Sequence, residues 1–151
     1  IRNHGMVKGY DSKIFGLNLR LPEINAAIAT VQMKKLPNFL KTRQKNAELL
    51  SKLLLKSNLH LPQERKNEKV NWYLYTVTTP KRNVLLKKLN AKGIGAASYY
   101  PIPVHKTPFY KSKINLPATN WAASHVLSLP IHPRVTSKNI EFIAKSILKI
   151  L

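Results

Sequence analysis

The sequence predicts an α+β domain in which helices cover a small sheet and a long helical segment leads into it. Apolar residues recur at helical spacing between Pro22 and Ser57, and again from Ile140 to the C-terminus. Between these segments, residues 71–79 (NWYLYTVTT) are rich in aromatic and β-branched residues, which is typical of a strand. With 151 residues, 44% of them hydrophobic, the chain can bury one compact core but is too short for a two-domain enzyme.

The N-terminal segment, residues 1–21, has no clear hydrophobic period and is interrupted by glycines, so we expect loop or extended structure there. Pro22 suits the first turn of a helix, because its missing N–H needs no partner at that position. Pro37 should kink this helix or restart it as a second one, which gives connecting helices over residues 22–57. Residues 58–151 are then interpreted as a small C-terminal α+β domain.

Within the small domain, Pro80 should end the strand over residues 71–79. A short helix follows, which Asn83 could cap and Gly93 could end. Residues 95–100 could form a second strand.

The last third of the chain begins with four prolines between residues 101 and 117, which predict a stiff, shaped loop. Residues 118–127 look helical, and residues 128–133 (SLPIHP) look short and extended. The C-terminal apolar stripe predicts a final helix with Thr136 or Ser137 as its N-cap.

The net charge is strongly basic. Lys and Arg number 26 against 6 acidic residues, which gives a formal charge of +20. Such a balance favours anionic partners and makes nucleic acid the first candidate. The basic residues are spread along the chain without one dominant block, which is more typical of a solvated surface. An acidic partner domain could also balance them.

Several chemistries are excluded by residue type. Without cysteine there can be no disulfide, thiolate metal site or cysteine nucleophile. Asp11 is the only aspartate, which leaves no convincing Ser-His-Asp set, and no metal-ligand spacing is present. No stretch could span a membrane and no export signal opens the chain, so cytoplasm is the default location. Because the first residue is Ile1 rather than Met, we expect that something precedes this segment in a parent protein.

Short motifs follow one another along the chain in a specific order. In the first third they are RNHG at 2–5, GLNLR at 16–20, AAI at 26–28 and QMKKL at 32–36. Further on they are Arg43 with Ala47, WYLY at 72–75, GI at 93–94, YP at 100–101 with His105 and Pro108, and LSLP at 127–130. This order resembles that of the DegT/DnrJ/StrS aminotransferases, and the resemblance covers nearly the whole chain.

The resemblance implies a fold-type I enzyme that uses pyridoxal phosphate and works as a homodimer. In that family a large α/β domain, which carries the Schiff-base lysine, lies ahead of such a segment. This chain would supply the last helices of the large domain and the small C-terminal domain. The lysine motif and the cofactor-stacking aromatic residue are absent from it, and Tyr73 stands where the family commonly has His.

The resemblance also implies two cofactor contacts. Asn18, in the G-x-N-x-R motif, would donate its amide N–H groups to the cofactor phosphate of the neighbouring subunit, with Gly16 leaving room for the approach. The alternative is an Asn that stabilises a turn. Arg20 would hold the same phosphate or would pair with Glu23.

Three further residues are candidates for the substrate wall. His4 follows from the RNHG motif, although a lone His is as often a structural hydrogen-bonding residue. Tyr100 and His105 lie in the proline-rich loop that approaches the sugar in the family. The aromatic residues of this loop could instead simply pack it.

The function that the resemblance implies is transfer of an amino group to a keto sugar nucleotide. The chain would form the C-terminal part of that enzyme and would be inactive alone. One alternative is a stand-alone basic module that binds nucleic acid, favoured by the charge and by Trp72, Tyr73 and Tyr75. Because these aromatic residues are not interleaved with Arg or Lys, as they are in a surface that stacks bases, we expect nucleic-acid binding to be only non-specific. Another alternative is a truncated, non-catalytic paralogue.

Overall fold

The computed structural model describes residues 3–4, 6–8, 11–110 and 112–151. Its elements are, in chain order, β1 (Met6–Lys8), β2 (Asp11–Ser12), α1 (Glu23–Leu54), β3 (Tyr75–Thr78), α2 (Arg82–Ala91), a 3-10 turn (Val104–Lys106), α3 (Pro117–His125), β4 (Val126–Leu129) and α4 (Ser137–Leu148). The α+β class is therefore confirmed. The chain divides into two compact units, an N-terminal unit (Ile1–Pro37) and a C-terminal unit (Asn38–Leu151). The predicted three-part division at residues 21/22 and 57/58 stays a prediction.

The N-terminal unit contains the antiparallel pair of β1 and β2 and the first part of α1. Much of the predicted RNHG motif, including Arg2 and Gly5, lies outside the described residues. Apolar side chains of α1 in this unit are exposed at helical spacing, with Ile24 at 76%, Ile28 at 57% and Val31 at 50%. The helical pattern that we inferred from the sequence is therefore present, but its apolar residues are not buried within the chain.

Pro37 lies inside α1, so the prediction of two consecutive helices is wrong and there is one helix of 32 residues. A proline inside a helix removes the hydrogen bond to the carbonyl four residues earlier, which belongs to Met33. Met33 is 63% exposed, so this turn of the helix faces solvent rather than the core. The loss is small enough for the helix to continue.

In the C-terminal unit, β3 pairs antiparallel with β4. Single bridges extend the sheet on both sides, where His60 pairs with Thr78 and Ala97 pairs with Ser128. The predicted strand at residues 95–100 is thus reduced to one bridge. One face of the sheet is buried and carries Tyr75, Val77, Leu127 and Leu129. The opposite face carries Thr76, Thr78 and Val126, which are half-buried, and Ser128, which is buried.

The core packs three helices against the buried face. It combines Leu50 and Leu54 of α1, Leu85 and Leu89 of α2, and Ile140, Ile143 and Ile147 of α4 in one cluster with the four strand residues. A two-stranded sheet is marginally stable by itself, so this helical cover is what makes the sheet persist.

Two of the helix ends agree with their sequence signals. Gly93 has φ +75 and follows the end of α2, as the predicted glycine stop requires. Thr136 is the N-cap of α4, with Asn139 completing a capping box. Asn83 was the wrong choice for the cap of α2, because the helix begins at Arg82 and its N-cap position is Lys81.

The predicted strand at residues 71–79 begins later, at Tyr75, because tertiary contacts distort its first residues. Trp72 has φ +51, a left-handed conformation that bulky residues rarely adopt. Its indole N–H donates to Gln44 Oε1 at 2.6 Å, and its ring stacks on Tyr75 at 5.8 Å. Arg43 Nη1 donates to the carbonyls of Trp72 and Tyr73 at 3.0 and 2.9 Å. Side chains of α1 thus hold this segment in place.

A second irregular segment is held by the buried amide of Asn46. Its Nδ2 donates to the carbonyls of Val135 at 3.0 Å and Ile131 at 3.3 Å, with the His132 carbonyl at 3.5 Å. This segment follows β4 and precedes α4, so one side chain fixes the connection between them.

None of the helices in the described part of the chain has the length and apolar character that crossing a membrane requires.

We expect Asn46→Ala to lower the free energy of unfolding by about 1–3 kcal/mol, because buried carbonyls lose their donor. Urea denaturation of the purified chain measures this change. Lys45→Ala, at the exposed neighbouring position, is the matched control and should change the free energy by less than about 0.5 kcal/mol. Equal effects of the two substitutions would contradict the role of Asn46.

Tyr75 should make the fold sensitive to alkaline pH. Burial raises the pKa of Tyr75 above its ordinary value of 10.0, and the hydrogen bond with Ser51, 2.7 Å away, partly opposes this. The Tyr75 hydroxyl therefore ionises at lower pH in the unfolded chain than in the folded one. Its contribution to the free energy of unfolding is complete below pH 10 and is lost as the pH rises through the pKa of the folded state. Tyr75→Phe should flatten the loss of stability above pH 10, measured by denaturation at a series of pH values. An equally steep loss in the variant would refute this cause.

Candidate functional site

Asn3 and His4 of the RNHG motif lie beside the GLNLR motif in the N-terminal unit. Asn3 and Asn18 form an antiparallel bridge, and the His4 N–H donates to the Leu17 carbonyl at 3.1 Å. Ser12 Oγ donates to the His4 carbonyl at 2.9 Å. His4 itself has φ +56, so its backbone is held in a left-handed conformation by contacts on both sides. The structure thus brings three candidate residues, His4, Asn18 and Arg20, into one small region.

Asn18 and Arg20 are hydrogen-bonded to each other. Arg20 Nε donates to Asn18 Oδ1 at 3.1 Å, which orients the amide. Among the described residues, Asn18 Nδ2 has no acceptor, and the only ion pair joins Lys13 to Asp11, so the predicted Arg20–Glu23 pair is not formed. Both side chains are exposed. Together they present amide and guanidinium donors, a combination suited to an anion such as a phosphate.

In the C-terminal unit, the described residues form two grooves that share Tyr99 in their linings. The first, called here the Arg43 groove, has a volume of about 260 Å³. The second, called the proline-loop groove, has a volume of about 240 Å³ and is almost entirely apolar. The Arg43 groove is lined by residues that include Arg43, Tyr73, Gly95, Tyr99, Ser128 and His132. The proline-loop groove is lined by residues that include Tyr99, Tyr100, Ile102, Val104, Ala122 and Val126.

Tyr100 and His105 differ in their surroundings. Tyr100 is 78% exposed at the rim of the proline-loop groove, with its ring edge-on to Tyr99 at 6.2 Å. His105 lies in the 3-10 turn, where the Ser112 N–H donates to its carbonyl at 2.9 Å. Its Nε2 atom is buried and has no hydrogen-bond partner within the described ranges. The structure therefore places Tyr100 on a groove and leaves His105 with an unmet hydrogen-bonding group.

Sequence reasoning did not identify the Arg43 groove. Arg43 was recognised only as part of a motif, and His132 was given no role. Ser128 Oγ, on the groove wall, is hydrogen-bonded to Thr76 Oγ1 at 2.9 Å. In the sequence, the one indication of this groove was Arg43 itself, a basic residue at a fixed position of a motif.

The aromatic residues that favoured a nucleic-acid module do not form an exposed platform. Trp72 is 6% exposed and Tyr75 is fully buried, so only Tyr73, at 73%, faces solvent. A stacking surface needs several exposed rings in a row.

A model of the DegT/DnrJ/EryC1/StrS aminotransferase family matches residues 1–148. The dTDP-3-amino-3,4,6-trideoxy-alpha-D-glucose transaminase of Streptomyces venezuelae is 34% identical over 140 residues, which cover 89% of this chain and 37% of that protein. The UDP-N-acetyl-3-dehydro-alpha-D-glucosamine 3-aminotransferase of Acidithiobacillus ferrooxidans is 29% identical over 153 residues, covering 100% of this chain and 42% of that protein.

Among solved structures, DesV of S. venezuelae in complex with a ketimine intermediate superposes with a TM-score of 0.91 at 29% identity. The superposition covers 98% of this chain and 41% of DesV. The chain therefore spans about two fifths of the length of the proteins that it matches.

Proposed function

The chain belongs to the DegT/DnrJ/EryC1/StrS aminotransferase family, as its motifs predicted, and from this premise we propose that it is the C-terminal part of an enzyme that aminates a keto sugar nucleotide. The observation that carries the proposal is the agreement in fold with DesV over nearly the whole chain. The two curated relatives described above carry names that specify dTDP-linked and UDP-linked sugars, which supports a nucleotide sugar as the substrate class.

The residues of the N-terminal unit fit the phosphate of pyridoxal phosphate. Asn18 Nδ2 has no acceptor among the described residues, and the bond from Arg20 fixes the orientation of the amide. Asn18 and Arg20 would hold the cofactor phosphate of the partner subunit in a homodimer. When bound, the cofactor ring takes up the negative charge that develops on the reacting carbon. The present residues contribute binding and orientation, and the lysine that attaches the cofactor would come from the missing N-terminal domain.

Each unit has candidate residues for a contact with the sugar, and each set is considered by itself. Tyr100 offers an exposed aromatic wall, and the buried Nε2 of His105 would gain a partner from a substrate hydroxyl or from the lysine-bearing portion. A buried polar atom without a partner costs stability, so a completing group is favoured. In the N-terminal unit, His4 is held with its neighbours next to Asn18, and we propose that it contacts the substrate there.

The missing domain would also bury apolar surface. Ile24, Ile28 and Val31 follow one stripe of α1 and are at least half exposed in this chain. An exposed stripe of this kind on a helix is typical of an interface with another part of a protein. We expect the lysine-bearing domain to cover it.

The isolated chain should not transaminate, because it lacks the family's lysine motif. Incubation with pyridoxal phosphate should give only weak adducts spread over surface lysines. Borohydride reduction followed by peptide mapping measures their distribution. A stoichiometric adduct at a single lysine would overturn the proposal that the attachment lysine lies elsewhere.

In a completed enzyme, Asn18→Ala should weaken cofactor binding by about ten- to a hundredfold, since a hydrogen bond to a charged group contributes roughly 1.5–3 kcal/mol. A chimera that joins this chain to the N-terminal portion of the S. venezuelae transaminase provides such an enzyme. Cofactor affinity is measured by equilibrium titration of the cofactor absorbance. Asn58→Ala, an exposed Asn whose side chain forms no hydrogen bond in the described part, is the matched control and should bind cofactor normally.

Mixed dimers distinguish whether Asn18 contacts the cofactor of its own subunit or that of the partner subunit. An Asn18→Ala subunit paired with a subunit lacking the attachment lysine should regain about one working site per dimer. The lysine-bearing site then receives Asn18 from its partner. The proposal is contradicted if the mixed dimer is as inactive as its parents while the Asn18→Ala enzyme binds cofactor normally. Asn18 would then be a residue that stabilises a turn.

A further inference from the structure

The Arg43 groove holds a positioned cation with unused donors. Arg43 Nη1 is fixed by the carbonyls of Trp72 and Tyr73, and the guanidinium lies over the Tyr73 ring at 5.9 Å from its centre. Its Nε and Nη2 atoms have no hydrogen-bond acceptor in the described part of the chain. A guanidinium whose one corner is anchored presents its remaining N–H groups in a fixed orientation.

No carboxylate of the described chain neutralises Arg43. The nearest acidic residue along α1, Glu48, accepts instead from Gln44 Nε2 at 2.8 Å, and no acidic residue lines the groove. Burial of a cation without a counter-ion is unfavourable, and Arg43 is half-buried. An external anion would therefore be stabilised at this position.

His132, which also lines the groove, offers a second polar side chain. His132 Nδ1 accepts from the Arg134 N–H at 3.3 Å, which leaves the proton on Nε2. Between the polar groups, the lining is more apolar than polar and includes Leu74, Leu129 and Ile131. The groove thus combines a small number of anion-binding donors with an apolar wall.

We propose that the Arg43 groove binds a small carboxylic acid with an apolar body, the carboxylate on Arg43 and the body against the apolar wall. A carboxylate can accept two parallel hydrogen bonds from the planar edge of one guanidinium, and its single charge is neutralised by that one cation. The volume of about 260 Å³ suits a molecule of this size. The inference rests on the C-terminal unit alone and does not depend on the proposed transaminase activity.

The proposal is tested by NMR titration of the full chain labelled with nitrogen-15. A salt concentration of about 150 mM screens the general attraction of the basic chain for anions. The probe is 4-methylpentanoate. Its uncharged analogue 4-methylpentanamide lacks the carboxylate, and inorganic phosphate lacks the apolar body. We expect saturable shifts of the backbone amides of Gly95, Ala97 and His132 with the carboxylate, and at least tenfold weaker binding of the other two compounds.

Three variants locate the site. Arg43→Gln should weaken binding at least tenfold, whereas Arg65→Gln, which removes an exposed arginine elsewhere, should leave it unchanged. Because Arg43 also holds Trp72 and Tyr73, Gly95→Phe provides an independent test. A Cβ at Gly95 meets no atom within 4 Å, so the ring can occupy the groove without backbone strain and should abolish binding.

The proposal is overturned if the shifts spread over the basic surface, if the amide or phosphate binds as well as the carboxylate, or if Gly95→Phe binds normally. None of these outcomes bears on the transaminase proposal, which is tested by cofactor attachment and by Asn18.

Discussion

The C-terminal unit depends on hydrogen bonds from the inner side of α1 to backbone that is not in regular structure. Arg43 and Asn46 donate to carbonyls before β3 and after β4, which lie about 30 and 90 residues away in sequence. Carbonyls in such segments have no strand or helix partner, and burying them without a donor would cost about 1–3 kcal/mol each. The helix therefore fixes the backbone that enters β3 and the backbone that leaves β4, which lie at the same end of this antiparallel pair. With them it fixes part of the lining of the Arg43 groove.

The sheet has two faces with different roles. Helices α1, α2 and α4 bury one face in a continuous apolar core. The opposite face carries the hydroxyl groups of Thr76 and Ser128, which are hydrogen-bonded to each other. In the proline-rich loop, the buried Nε2 of His105 has no hydrogen-bond partner in the part of the chain that the structure describes. A buried polar atom of this kind favours a completing partner, which we propose to be the remainder of a larger enzyme. The match to about two fifths of each relative agrees with this view.

Local signals in the sequence predicted local structure. Gly93 and Thr136 mark helix ends because their effect comes from the backbone within a few residues. The late start of β3 could not be predicted, since the conformation of Trp72 is fixed by Gln44 and Arg43 across 28 and 29 residues. The Arg43 groove is likewise assembled from separate segments. Within the candidate site, the motif order suggested Asn18, but only the structure showed that Arg20 orients it rather than pairing with Glu23.

The central claim is that this chain completes the cofactor site of a DegT/DnrJ/EryC1/StrS aminotransferase from across a subunit interface. The most direct test is a crystal structure of the chimeric enzyme with pyridoxal phosphate, in which the distance from Asn18 Nδ2 to the phosphate oxygens is measured. The account predicts a separation of about 2.7–3.2 Å to the cofactor attached to the partner subunit. A phosphate bound without Asn18, or an Asn18 that contacts only its own subunit's loop, would contradict it.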